Sequence, residues 1–386
     1  MTTDAPSVDS IQARITRLKV QGFRSLRDLD IELPPLAVLI GANGAGKSNV
    51  IRFVELLSWM LRAQNLGEFV ERQGGGDDQL FLGAKVTPRI DAHIDIDSGR
   101  GLNEYRFALA HTPAWDRLMF VQESFRYSRH GRGTEAHWIE LDGGGTEARI
   151  VEVAQGTGYP STQQRTARTL VHLLRSCGTY QFHDTSAQAP IKTPWDQTDV
   201  ATLRAHGGNL APILLHLRER HFKRYNLIER QIARVLTNFR GFELEPVAGR
   251  VQLRWRGARA DKTFGAHLTS DGSLRLFCLI VLLNLPPEML PDVILIDEPE
   301  LGLHPAAISL VAQMVREVSR RRQVILSTQS PYLVDCFGLQ DIVVADLEGD
   351  ATRLRVLDPD DYRSWLEDDA TTLADLWLRN VIGGRP

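Results

Sequence analysis

The amino-acid sequence predicts an α/β fold: a parallel core sheet with covering helices, an antiparallel β subdomain and a helical lobe. Three observations lead there. An apolar run, Leu36 to Ile40, enters a glycine-rich loop and then a helix-forming stretch. Towards the other end, strand-like Val293 to Ile296 stops at the acidic pair Asp297-Glu298, ahead of helix Pro305 to Arg320 and strand Gln323 to Ser327. Between these two regions, short alternating stretches give way to long amphipathic ones. Strands alternating with helices favour a parallel sheet with helices on its faces.

Each element follows from its own pattern. Ile15 to Val20 alternates apolar and polar residues and reads as a strand. Asn49 to Leu61 is apolar on nearly every face, which marks a buried helix. From Gly67 to Val153 the stretches Ile90 to Ile96, Tyr105 to Leu109 and His137 to Leu141 alternate between glycine-rich breaks, as antiparallel hairpins do. Gln163 to Ser176 reads as a helix, Leu210 to Phe239 as a broken amphipathic helix, and Val251 to Arg256 as a solvent-facing strand. Leu276 to Leu285 is too short to span a bilayer and reads as a buried helix; Ile342 to Ala345 is a last strand. No heptad run is long enough for a coiled-coil arm. The motifs fall into three segments of one head: 1–185, 186–290 and 291–386.

Composition narrows the class. Of 386 residues, 45 are basic and 48 acidic, a net charge of −3, which does not by itself advertise a nucleic-acid binder. Arg218, Arg220, Lys223 and Arg224, and Arg320 to Arg322, read as solvated faces and a helix C-terminus. Cys177, Cys278 and Cys336 lack metal spacing and fit reduced thiols. The polar opening Met1 to Ser10 has no secretory pattern. A soluble, cytoplasmic protein without a membrane partner is expected.

The chemistry concentrates in two places. Gly41-Ala42-Asn43-Gly44-Ala45-Gly46-Lys47-Ser48, followed by Asn49, fits G-x-x-x-x-G-K-[ST] between a strand and a helix. Glycines let backbone N–H groups converge on phosphates, and the helix N-terminus adds donors. ATP is the expected ligand, with Lys47 on the β- and γ-phosphates and Ser48 on Mg²⁺. At the second place, four apolar residues deliver Asp297 and Glu298 to a strand end: Asp297 suits the Mg²⁺ shell, Glu298 a general base for water.

With these motifs in view, the chain resembles the RecF/SMC/OLD branch of ABC-type ATPases, closest to short bacterial AAA family ATPases of the AAA_21 kind. The resemblance rests on Gly22-Phe23-Arg24-Ser25-Leu26, the P-loop, Phe182 to Ser186, Leu268 to Arg275, Asp297 to Pro305, and Ser327 to Pro331. It implies an ABC-type P-loop head without a long coiled coil, working as a homodimer that sandwiches ATP. Ser270 and Gly272 would contact nucleotide held by the second chain, with Asp271 replacing a usual glycine. Gln329 would stand in the switch-histidine position, which implies slow hydrolysis, and His304 replaces the usual D-loop aspartate. Arg24 has two readings, a phosphate contact or a strand-end surface arginine. Gln181, His183 and Asp184 are equal candidates for the Q-loop residue.

For function, the resemblance implies an ATPase switch acting on a separate effector, such as a partner nuclease, in bacterial defence or genome maintenance. Relatives of the OLD kind carry a nuclease domain after the head, and the roughly 60 residues after Ser327 are too few for one. The alternatives are a RecF-like DNA-binding repair ATPase and, less well matched, a transporter nucleotide-binding subunit.

Overall fold

The computed structural model describes residues 13–62, 66–131, 136–156, 158–258, 262–366 and 371–385. In chain order, β1 (Arg14–Phe23), β2 (Leu26–Glu32) and β3 (Leu36–Ile40) lead through the P-loop into α1 (Lys47–Arg62) and α2 (Leu66–Arg72). Then come β4 (Arg89–Asp97), β5 (Gly101–Thr112), β6 (Arg117–Arg129), β7 (Ile139–Leu141), α3 (Ile150–Gln155), α4 (Ser161–Arg175) and β8 (Cys177–Tyr180). The middle of the chain holds β9 (Trp195–Asp196), α5 (Leu210–Arg220), α6 (Phe222–Val235), β10 (Phe239–Phe242), β11 (Arg250–Val251), β12 (Arg254–Gly257), β13 (Thr263–Gly265) and α7 (Asp271–Asn284). The last part supplies β14 (Val293–Asp297), α8 (Pro305–Ser319), β15 (Gln323–Thr328), α9 (Pro331–Val334), β16 (Ile342–Glu348), β17 (Ala351–Val356), α10 (Pro359–Leu366) and α11 (Leu373–Leu378).

The chain divides into two compact units. The first comprises Met1–Gly178, Asp292–Leu295 and Ser319–Pro386; the second comprises Thr179–Pro291 and Ile296–Val318.

In the first unit, an antiparallel sheet runs in the order β2-β1-β4-β5-β6-β7. Period-2 patterning decides its faces: Ile90, Ala92, Ile94 and Ile96 of β4 are buried in one core with Phe53 of α1 and Leu170 of α4. The intervening positions put His93, Asp95 and Asp97 on the opposite face. The expected hairpins are therefore present. The second sheet has the order β17-β16-β3-β15-β14-β8, with β8 and β14 crossing the boundary between the units. β3 is parallel to both β15 and β16, whereas β16 pairs antiparallel with β17, so the core sheet is mixed rather than wholly parallel. All five residues of β3 are buried, as a strand covered on both faces requires.

The second unit packs α5, α6 and α7 with the small sheet β10-β12-β13. Its centre is aromatic: Phe239, Phe242 and Trp255 all contact Phe277 of α7. The Trp255 indole donates to Thr269 Oγ1 at 2.9 Å, which satisfies its only polar atom. The stretch Val251 to Arg256 is not one strand. β11 pairs with β9 and β12 pairs with β10, and Leu253 between them is buried while its carbonyl accepts from Ala266 N–H. Alternation persists across the break, so the sequence pattern does not reveal the change of partner.

Candidate functional site

The P-loop lies in the first unit. Gly44 and Gly46 have φ of +80° and +90°, the left-handed region that L side chains avoid. A Cβ on Gly44 would meet nothing within 4 Å, so the loop presents an open cradle there. A Cβ on Gly46 would lie 1.8 Å from Thr352 Oγ1, so that glycine is required by close packing as well as by φ. Lys47, only 5% exposed, donates from Nζ to the carbonyls of Gly41 at 2.7 Å and Ala42 at 2.9 Å. Asn43, Gly44 and Ser48 are exposed, whereas Ala45 is buried. Backbone donors, a buried ammonium and an exposed hydroxyl suit a polyphosphate.

Two residues that sequence reasoning missed hold this loop. Asn49 Nδ2 donates to Ser25 Oγ at 2.7 Å, Ser25 and Thr352 share a hydroxyl hydrogen bond of 2.7 Å, and Thr352 Oγ1 donates to the Ala45 carbonyl at 3.0 Å. Each hydroxyl has one proton, so the chain runs in one direction: Asn49 to Ser25 to Thr352 to Ala45. Thr352 is 1% exposed and also donates its N–H to the Ser25 carbonyl. The neighbouring Arg24 is directed elsewhere. Its guanidinium donates to Gln79 Oε1 at 3.1 and 2.9 Å and to Gln73 Oε1 at 3.0 Å, with φ at +47°. Burial lowers its pKa, and Arg52 adds to that.

The acidic strand end lies in the second unit. Asp297 is 8% exposed, and its Oδ2 accepts from Gln181 Nε2 at 2.8 Å. Gln181 is thus the Q-loop candidate the structure brings to the acidic site. Asp184 is exposed, and hydrogen bonds from the Ser186 side chain and then from its N–H lower its pKa, while His183 contributes its carbonyl to Arg275. Glu298 has φ of +48°, a conformation bulky residues adopt at a cost and one concentrated at functional positions. The turn after it closes with Leu301 N–H on the Glu298 carbonyl and Leu303 N–H on that of Glu300.

Ser270 is the N-cap of α7: its Oγ accepts from Ser273 N–H at 3.2 Å. Gly272 packs so closely that an added Cβ would lie 2.3 Å from the Gly302 carbonyl oxygen. Asp271, the acidic replacement in this turn, has Lys192 Nζ at 3.8 Å from Oδ1. Its charge therefore has a cation of its own. His304 Nδ1 accepts from Ala306 N–H at 3.3 Å, a local cap at the start of α8. Gln329, in the first unit, is half-buried immediately after β15 and precedes Ser330, the N-cap of α9.

A second polar cluster sits on the outer face of the antiparallel sheet. His93 Nε2 lies 2.8 Å from Asp95 Oδ1 and 3.2 Å from Glu104 Oε1, and Arg126 Nη2 donates to Glu104 Oε1 at 2.8 Å. Burial opposes charge on Glu104, but bonds from His93 and Arg126 outweigh it and hold its pKa at about 2. For His93, burial is again outweighed, here by Asp95 and Glu104, and its pKa is raised. The ligand-type atoms of His93, Asp95 and Glu104 lie within 4.8 Å of one another, with the Arg126 guanidinium against Glu104.

Similarity to known proteins bears on the family and the fold. The family model AAA_21, described as AAA domain, putative AbiEii toxin, Type IV TA system, matches residues 36–130 and 164–335. An OLD nuclease of Thermus scotoductus is 44% identical over 43 residues, a match spanning 11% of this chain and only 8% of that protein. An Smc head bound to the C-winged helix domain of ScpA superposes with a TM-score of 0.55 at 14% identity, covering 91% of this chain and 99% of its own. The Pyrococcus furiosus Smc head with an extended coiled coil, bound to the C-terminal domain of ScpA, gives 0.54 at 14% identity, covering 93% and 100%. At that identity the likeness establishes the fold, an ABC-type P-loop ATPase head. No helix among the described residues is long and apolar enough to cross a membrane.

Proposed function

The chain belongs to the AAA_21 family, on the RecF/SMC/OLD branch of ABC-type ATPases, and from that premise we propose that it is an ATP-driven switch. In this reading it binds ATP with Mg²⁺, dimerises around the nucleotide, and controls a partner effector such as a nuclease in bacterial defence or genome maintenance. Hydrolysis then times the release of the interface rather than making a product.

The roles follow from the chemistry of each residue. The N–H groups of 43–49 and the Lys47 ammonium bind the phosphates; Ser48 and Asp297 are the residues that would hold Mg²⁺, which when bound neutralises phosphate charge. Glu298 accepts a proton from the attacking water, and Gln329, which cannot ionise, orients that water or senses the γ-phosphate. Ser270 and Gly272 serve the nucleotide of the second chain. Slow turnover is the expected consequence of Gln329.

The observation that carries the reading is Glu298, held at φ +48° directly after a buried Asp297 that Gln181 already engages. The test is ATP turnover and oligomeric state of wild type and Glu298→Gln. The variant should lose about 10²- to 10⁴-fold in rate, the range for removing a general base, and accumulate an ATP-dependent dimer. A wild type that neither hydrolyses ATP nor dimerises with it sinks the proposal.

One observation favours direct contact with nucleic acid as a second reading. Residues 218–262 contain twelve Lys and Arg against five Asp and Glu, in a chain whose net charge is −3. Lys223, Arg230 and Arg240 line one groove on α6 and β10, and Arg254 and Arg256 are exposed on β12. None of the five makes an ion pair among the described residues, whereas Arg17, Arg72, Arg89 and Arg353 do. Binding of labelled single- or double-stranded DNA should weaken steeply with salt if these cations meet phosphates. Salt-independent binding, or none, removes this reading.

A further inference from the structure

Arg275, in the second turn of α7, makes an arrangement not absorbed by any role above. Its guanidinium donates in three directions, each to a backbone carbonyl: Nε to Phe182 at 3.0 Å, Nη2 to His183 at 3.2 Å and Nη1 to Leu301 at 3.0 Å. Phe182 and His183 directly follow Gln181, the residue bonded to Asp297. Leu301 directly precedes Gly302, whose carbonyl abuts Gly272. One planar cation therefore ties two loops to α7, and all of these lie within the second unit. A lysine could not do this, because a point-like ammonium lacks the rigid fork that reaches three separate acceptors. Charge-assisted bonds of this kind are stronger than neutral ones.

The connection forms a continuous path: Asp297, Gln181, the Phe182–His183 backbone, Arg275, the Leu301–Gly302 backbone, and the Gly272 turn with its cap Ser270. Gly302 is tied to the same spot by space, since a Cβ there would stand 3.0 Å from Arg275 Nη1. With Gly302 at φ +74° and Gly272 in backbone contact, the loop has little room to shift independently of α7.

We propose that Arg275 is a positioning residue that couples the acidic half-site of its own chain to the Ser270–Gly272 turn offered to a second chain. Movement of Gln181 when Asp297 engages its ligand is passed through the two carbonyls to Arg275, and from there to Leu301 and Gly272. The inference rests on the switch reading for its consequence, dimerisation, but the coupling itself is a property of one chain.

The experiment uses the full chain with Glu298→Gln as background, comparing Arg275→Ala and Arg275→Lys. Three quantities are read: affinity for a fluorescent ATP analogue, the ATP concentration giving half-maximal dimer, and hydrogen exchange of peptides covering 41–48 and 299–304. Arg275→Ala should keep nucleotide affinity within about 3-fold while raising the dimer midpoint at least about 10-fold. ATP-induced protection should persist at 41–48 and vanish at 299–304. Arg275→Lys should fall between, and it carries the test if the alanine variant does not fold. A dimer midpoint and 299–304 protection equal to the background protein overturn the proposal, as does a parallel loss of affinity and protection everywhere, which marks a merely structural arginine. If the background protein stays monomeric with ATP, the switch reading fails, and the exchange data still decide the coupling.

Discussion

Thr352→Val is the sharpest test of how the P-loop is held. Valine matches threonine in shape, so the substitution opens no cavity and isolates the hydroxyl. Thr352 is 1% exposed, and its hydroxyl carries two bonds, one to the Ala45 carbonyl at 3.0 Å and one shared with Ser25 Oγ at 2.7 Å. Removing it leaves the Ala45 carbonyl without this donor and breaks the directed chain from Asn49. Stranding a buried partner costs about 1–3 kcal/mol. In a unit of this size each kcal/mol lowers the melting temperature by about 2–4 °C. If the whole cost falls on the nucleotide-competent loop, ATP affinity drops about 5- to 150-fold. Differential scanning fluorimetry and titration with a fluorescent ATP analogue read both effects. Ser25→Ala should behave alike, and the double variant should be no worse than about the larger single, because both break one chain. Additive losses, or a Thr352→Val protein that melts and binds as wild type does, would refute the chain as the element that shapes the loop.

Two further outcomes concern pH. Glu147 has its pKa pushed up to about 7 by burial, and its Oε2 is buried without a hydrogen-bond partner among the described residues. A carboxyl raised above its unfolded value of about 4.5 stabilises the fold below that value and loses the benefit as pH rises towards 7. Glu147→Gln should therefore melt higher than wild type at pH 8 and close to it at pH 4; the reverse order would show that Glu147 is ionised and satisfied. Glu104 is the opposite case. With its pKa near 2, its contribution is full above about 4.5 and fades as pH falls towards 2, so the deficit of Glu104→Gln at pH 7 should shrink on acidification. A deficit unchanged from pH 7 to 3 would mean that the Arg126 pair does not carry it.

What the sequence disclosed was whatever is local. The P-loop, the Val293 to Glu298 strand end and the Ser270 cap each depend on neighbours within a few residues, and their patterns survive in one dimension. Period-2 alternation likewise located β4 and β5, and an all-round apolar stretch located α1. Long-range agreements were hidden. Ser25 and Thr352 are separated by 327 positions and have no pattern of their own. The cation that faces Asp271, Lys192, lies 79 residues upstream, so the motif around Asp271 does not show it. Arg24 was ambiguous for the same reason: Gln73 and Gln79, which engage it, carry no signature. Between Gln181, His183 and Asp184 only geometry could choose, since all three are able ligands and just one meets Asp297.

The place of β3 in its sheet has a consequence for biosynthesis. This strand of five buried apolar residues directly precedes the P-loop, yet both of its partners, β15 and β16, are encoded near the far end of the chain. A ribosome must add almost 300 residues before either edge can be covered. Throughout that interval Leu36–Ile40 is an unpaired hydrophobic strand, the kind of segment that invites association with other chains. The nucleotide-binding loop is thus synthesised long before the strands that support it. Slow translation of the final third should increase aggregation of this protein more than slow translation of its middle, and holding chaperones should act on its amino-terminal portion.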